Sequence, residues 1–440
     1  MGRIEASTVT KQFKRTFNES TLNAMGKAAR LCQREREVTP WRLMLTLIEA
    51  LSSARVDSIA DLQRTFNALC GTSVQYKPFH NQLAKAGFPE FVRAVLCRLL
   101  DELACKVLRF TPQSPFGRFT RIRIQDGTSF ALKSTLASTW PGRFTTISPA
   151  AVELHVDFDL MSEMVNRVEL SPDSSAEAQY LPEPQEWGGE LLLAARGDFT
   201  TEDLKAVDAA GGSFIVRGKE NLNPLILKAV CPDGEVLEAL HGQRLKAVKH
   251  CLWEYESVDL KVRFTVPHHK GKPRETFDCR IVVHPNLCAD DVPRYLVTNL
   301  DDTAFSPEQA SDGYRLRWQI ELLFKEWKSH ANLRAFDTGK SNIAEGLIWA
   351  SLCAAVVTRY CAHVTQRVRG VAMSTRRVAK CIHHVLRDVI YSIMHRPHRL
   401  GTSVERVIDY LATNGRRAHP KRDRKSGRLK PGLAHVYCRA

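Results

Sequence analysis

The chain has 440 residues, 44% of them hydrophobic and 25% charged, which excludes a disordered tail protein and leaves room for two to four packed domains. Its 63 lysines and arginines against 48 acidic residues give a net charge of +15 and a pI near 9.3, a balance that favours a polyanionic partner, either nucleic acid or an acidic membrane surface. The twelve cysteines stand singly, without C-x-x-C or zinc-finger spacing, which fits free thiols in a reducing cytosol and argues against a disulfide framework.

No apolar signal core opens the chain. The longest apolar run, residues 346–357, is too short to span a bilayer, so no membrane partner is expected. Residues 1–110 read as a helical domain. "ESTLNAMGKAARLCQ", "PWRLMLTLIEALSS", "SIADLQRTFNALC" and "EFVRAVLCRLLDELACKVL" each carry apolar residues at three-to-four spacing. Between the last two, a turn and a short helix present Tyr76, Lys77, His80, Asn81, Gln82 and Lys85. This pattern fits a helix-turn-helix reading element with Lys77, His80 and Asn81 as DNA contacts, and equally an ordinary surface helix, which the local pattern favours.

From about residue 115 the period changes to two. "FTRIRIQD", "AAVELHVDFDL", "VNRVELS", "GELLLAA" and "SFIVRG" read as strands, with helices at "SAEAQYL" and "TEDLKAVDAAG". This order implies a mixed α/β sheet over 111–225. Residues 226–292 read as an all-β insert of short strands without a good helix. The α/β core resumes over 293–365, and 366–440 form a basic helical C-terminal region that ends in a mobile tail at 416–435.

The stretch "YRLRWQIELLFKEWKSH", 314–330, reads as one helix with two polar sides. Tyr314, Arg317, Glu321 and Lys328 fall within an arc of about 60° on a helical wheel. Ile320, Leu323, Phe324 and Trp327 form the core side, and Arg315, Gln319, Glu326 and His330 a solvent face, with Trp318 and Leu322 between the two polar stripes. One polar face suffices for a surface helix. The second stripe fits an ion-pair ladder or a cleft where a carboxylate holds a divalent cation while its basic neighbours hold phosphate oxygens. The second use needs further carboxylates. Asp126, beside Gly127 at the end of a strand, is one candidate, and Asp198, in the loop after "ELLLAA", is another. Asp157 and Asp159 share one strand face and read as solvent-facing or supporting.

The spacing Y-x2-R-x3-E-x6-K, met by Tyr314, Arg317, Glu321 and Lys328, resembles the signature of insertion-sequence-4-type DDE transposases, which cut and paste DNA. "IQDGT" resembles the segment carrying that family's first acidic residue, and "FIVRGKENLNP" the strand after its second. The resemblance covers most of the chain. It implies a ribonuclease-H-like core with an all-β insert, a helical N-terminal DNA-binding domain, and Asp126, Asp198 and Glu321 as ligands of two Mg²⁺ or Mn²⁺ ions. It further implies cleavage and strand transfer on double-stranded DNA with a hairpin intermediate, a homodimer on two transposon ends, and a bacterial, cytoplasmic, nucleoid-associated location. Tyr314, Arg317 and Lys328 would grip the DNA end, and Tyr295 or Trp253 would stack on a flipped base. One position departs from the pattern: Ala195 stands where the family has its second acidic residue. Either Asp198 substitutes from three residues along, or the chain is a DNA-binding derivative without catalysis. A metal-dependent nuclease without strand transfer is a third reading.

Overall fold

The structure is a computed structural model. It describes residues 4–34, 36–52, 56–105, 114–175, 180, 184–195, 199–266, 275–284, 294–331, 333 and 337–418. Asp198, the expected helix at "SAEAQYL" apart from Ser175 and Tyr180, and all but the start of the basic tail lie outside the described residues.

The N-terminal helices are α1 (Ala6–Thr16), α2 (Glu19–Ala28), α3 (Pro40–Leu51), α4 (Ile59–Cys70), α5 (Tyr76–Leu83) and α6 (Gly87–Glu102). Their starts follow from local chemistry: Asn18, Thr39 and Ser58 each accept a backbone N–H of the first turn, and Pro40 stands where no donor is required. α5 packs Phe79 on Phe66 of α4, with ring centroids 5.5 Å apart, and leaves Tyr76, Lys77 and Asn81 exposed.

Among the described residues, nine strands form one mixed sheet. They are β1 (Ile122–Ala131), β2 (Ala151–Asp159), β3 (Met164–Pro172), β4 (Leu191–Ala194), β5 (Ser213–Arg217), β6 (Leu225–Val230), β7 (Val258–Thr265), β8 (Thr276–His284) and β9 (Arg294–Thr298). Their order is β3-β2-β1-β4-β5-β9-β8-β7-β6. β1, β4 and β5 run parallel to one another, and the other pairings are antiparallel. α7 (Thr201–Ala209) joins β4 to β5 and opens on a capping box between Thr200 and Asp203. The stretch expected to be an all-β insert therefore extends the same sheet through β8 and β9. It also holds a short helix, α8 (Leu245–Val248), and 3₁₀ turns at Glu238–Leu240 and Cys251–Glu254.

After β9 come α9 (Pro307–Arg315), α10 (Trp318–His330), α11 (Ser341–Arg369), α12 (Thr375–Cys381), α13 (His383–His395) and α14 (Leu400–Asn414). α11 is long and apolar enough to cross a membrane, but 94% of its most apolar window is buried inside the protein. It packs on α3, α6 and α14, and one continuous apolar core runs from Val9 through α11 to Leu411. Gly346 of α11 lies so close to the Phe88 ring of α6 that a Cβ would overlap it. A second core, with Trp187, Phe214 and Leu260, fills the opposite face of the sheet. The N-terminal helices thus share their main core with the C-terminal ones.

Candidate active site

The run 314–330 is not one continuous helix. Leu316 and Arg317 separate α9 from α10, and the backbone tightens there into i to i−3 hydrogen bonds, with Arg317 N–H donating to the Tyr314 carbonyl at 3.0 Å. α9 is fixed at its start by a capping box between Ser306 and Gln309. Its Gly313 faces the Phe116 ring, where a Cβ would stand 2.6 Å from Cζ. The expected core side holds: Ile320, Leu323, Phe324 and Trp327 are buried. The expected solvent face holds only in part: Arg315 is exposed and Gln319 and His330 are half-buried, but Glu326 is only 7% exposed and accepts a hydrogen bond from Arg359 of α11 at 3.3 Å. A wheel shows direction but not what stands opposite, and α11 covers that side.

Arg317 joins the two distant acidic residues. Its Nη1 donates to Asp126 Oδ2 at 2.6 Å, and its Nη2 pairs with Glu321 Oε1. The carboxylates are therefore no more than about 8 Å apart, two hydrogen bonds and the width of one guanidinium. Tyr314 completes the group, with its ring centroid 5.9 Å from the Arg317 guanidinium carbon. Lys328 is exposed two turns beyond Glu321, about 10 Å along the helix axis.

Asp126 lies within β1 rather than at its end. β1 continues to Ala131 against β2, but its pairing with β4 stops at Gln125 opposite Ala194. One further step in that register sets Ala195 beside Asp126, about one strand spacing away. Alternation fixes the face. Ile122 and Ile124 of β1, and Leu191 and Leu193 of β4, point into the core beneath α10, so Asp126 and Ala195 share that side. The expected second acidic position is thus adjacent to the first, and in this chain it carries a methyl group.

Burial holds the Asp126 carboxyl above the ordinary aspartate range; Arg317 and the Gly127 N–H pull against that rise, while Glu321 adds to it. Burial opposes the Arg317 charge, but Tyr314, Asp126 and Glu321 outweigh it and hold the guanidinium above its usual value. Burial also raises the Tyr314 hydroxyl, again opposed by Arg317. A guanidinium seated between Asp126 and Glu321 shows that the pair accepts positive charge, so these residues fit a divalent cation on carboxylate oxygens.

Other candidates fall elsewhere. Asp157 and Asp159 are 4% and 6% exposed, not solvent-facing. Asp157 pairs with Arg123 on the sheet face opposite Asp126, and Asp159 accepts from Ser162 at 2.8 Å in the β2–β3 turn. Tyr295 is only 4% exposed within the second core and presents no ring face to a base. Trp253 is half-buried in the 3₁₀ turn after α8. The wheel located Trp318 but gave it no role: it follows Arg317 directly and is 56% exposed.

An arginine between two carboxylates, where a sheet meets its covering helix, is an arrangement that suits cation-assisted chemistry on an anionic substrate. A protein-family model described as "Transposase DDE domain" matches residues 117–357, and the chain belongs to this family of DNA-cleaving and strand-transferring enzymes. It is 22% identical over 455 residues to the transposase for insertion sequence element IS231B of Bacillus thuringiensis subsp. berliner, covering 94% of this chain and 93% of that one. It is 20% identical over 349 residues to the transposase for insertion sequence element IS1151 of Clostridium perfringens, with 73% of each chain covered. Among solved structures it is similar to the piggyBac transposase synaptic complex with hairpin DNA, at a TM-score of 0.46 and 10% identity over 92% of this chain and 85% of that one.

Proposed function

We propose that this transposase binds the ends of an insertion sequence as a homodimer, cleaves double-stranded DNA there and joins the freed ends to a target, using Asp126 and Glu321 to hold Mg²⁺ or Mn²⁺. The observation that carries the reading is the Asp126–Arg317–Glu321 bridge, which brings β1 and α10 to one point from 191 residues apart. The strand order β3-β2-β1-β4-β5, with Asp126 on β1 beside position 195 just past the end of β4, supports a ribonuclease-H-like core.

Two bound ions would activate the attacking oxygen and stabilise the departing one. The residues of the chain perform the rest. Arg317 releases the carboxylates and turns to the phosphate, staying charged throughout. Tyr314 and Lys328 hold the backbone on either side of the scissile bond. Trp318, exposed beside Arg317, stacks on a base displaced from the end and takes the role expected of Tyr295. Lys77, His80 and Asn81 contact duplex further from the cut. Ala195 offers no ligand, so the second acidic group comes from Asp198 or is lacking, and in the latter case cleavage is slow. By this reading the enzyme acts in the cytoplasm, on the nucleoid.

The test is Mn²⁺-dependent nicking of a labelled duplex carrying the element's end. Asp126→Asn and Glu321→Gln should abolish nicking, and Ala195→Asp should raise it. Loss of activity in Asp198→Ala assigns the second ligand to Asp198. Full activity in Asp126→Asn overturns the reading, and joining of pre-cut ends separates a transposase from a simple nuclease.

A further inference from the structure

Next to the catalytic face of α10 is a second set of charged residues. A cavity of about 250 Å³ opens between α10, α11 and α12. Lys325 and Glu326 of α10, Arg359 of α11, Arg376 of α12, Glu163 and Arg417 line it. Arg359 is 7% exposed. Its Nη1 donates to the Glu163 carbonyl at 2.8 Å and its Nη2 to Glu326 at 3.3 Å, while its Nε finds no acceptor. Glu163 faces His363 at 3.7 Å. Both acidic groups of the cavity therefore already have partners. Lys325 and Arg376 are exposed and form no ion pair among the described residues. The result is a recess with two uncommitted cations at its mouth, a combination that lacks one thing: an anion with several acceptor oxygens.

We propose that this recess takes a phosphate of the DNA backbone, gripping the bound strand a second time beside the catalytic pair. The inference rests on the reading of the chain as a DNA-processing enzyme. Lys325 follows Glu321 by one helical turn, about 6 Å along the axis. Trp318 and Leu322, 56% and 46% exposed, lie on the helix surface between the catalytic face and the recess. A strand leaving Glu321 would meet Lys325 first, on the near side of Trp318, and then cross Trp318 and Leu322 to reach Arg376. Lysine supplies a point charge and arginine a planar fork, a pairing that suits a tetrahedral oxyanion.

The experiment uses the full chain and a mixed-sequence linear duplex. Affinity is measured against salt for the wild type and for the double variant Lys325→Gln/Arg376→Gln, whose exposed positions leave folding intact by far-UV circular dichroism. The variant should bind about tenfold more weakly at fixed salt, and the slope of log K on log salt should shrink by about one unit. Lys228→Gln/Lys246→Gln, with the same loss of charge in the region following β5, should leave the slope unchanged. An unaltered slope in the Lys325/Arg376 variant, or an equal change in the control, overturns the proposal. So does thermal stabilisation of the wild type, but not the variant, by inorganic phosphate with both slopes alike, which would make the recess a free-anion site. A wild type without salt-dependent duplex binding refutes the underlying DNA reading as well.

Discussion

Replacing Arg317 by glutamine tests whether Asp126 and Glu321 belong to one electrostatic unit. Their side chains are 18% and 33% exposed, and the guanidinium between them is 16% exposed. At a separation of about 7 Å and an effective dielectric near 20, two bare carboxylates repel by roughly 2 kcal/mol. The variant should therefore unfold about 2–4 °C lower than the wild type without divalent ions. Mn²⁺ should then reverse the penalty, because a cation now finds the pair uncompensated, and the Mn²⁺-induced rise in melting temperature should exceed that of the wild type. Differential scanning fluorimetry with and without Mn²⁺ reads both effects. If the variant melts with the wild type and ignores Mn²⁺, the two carboxylates do not act together and the proposed site fails.

Four further outcomes follow from the same structure. Asp126 has a carboxyl raised by burial, so as pH falls it is protonated before an ordinary aspartate; Mn²⁺ affinity should fall with it, starting above the usual aspartate range, and Asp126→Asn should remove that dependence in a calorimetric titration. Arg359→Met leaves Glu326 buried without its partner and should cost about 3–5 kcal/mol in urea unfolding, with much of the loss recovered in Arg359→Met/Glu326→Leu. Gly346→Ala drives a methyl group into the Phe88 ring and should destabilise by about 1–3 kcal/mol. Trp318→Ala should leave the unfolding midpoint within about 0.5 kcal/mol, since the ring is exposed, yet weaken binding to DNA with an unpaired end.

Local chemistry was legible wherever a signal lay within one or two turns of the chain. The existence of β2 and β5 and the core side of α10 follow from composition and periodicity. The spacing of Tyr314, Arg317 and Glu321 was readable too, although the break at Leu316–Arg317 was not: nothing in "YRLRW" stops a helix, and the tightened turn coincides with Arg317 reaching Asp126 on β1. Long-range neighbours stayed hidden. Glu326 reads as solvated until Arg359, 33 residues away, is seen beside it. Asp157 gave no sign of its partner Arg123, because i, i+2 spacing gives only a face. The strands of the expected insert alternate as those of a free-standing β module would, and only pairing partners reveal that β8 lies on β9.

The shared core around α11 bears on the biology of any mobile element encoding such a chain. A ribosome that stops before Ser341 releases the six leading helices without the surface that covers Phe88, Val92 and Leu96. Truncated products then expose apolar side chains and lie open to proteases, so that the leading helices gain their full core only when synthesis is complete.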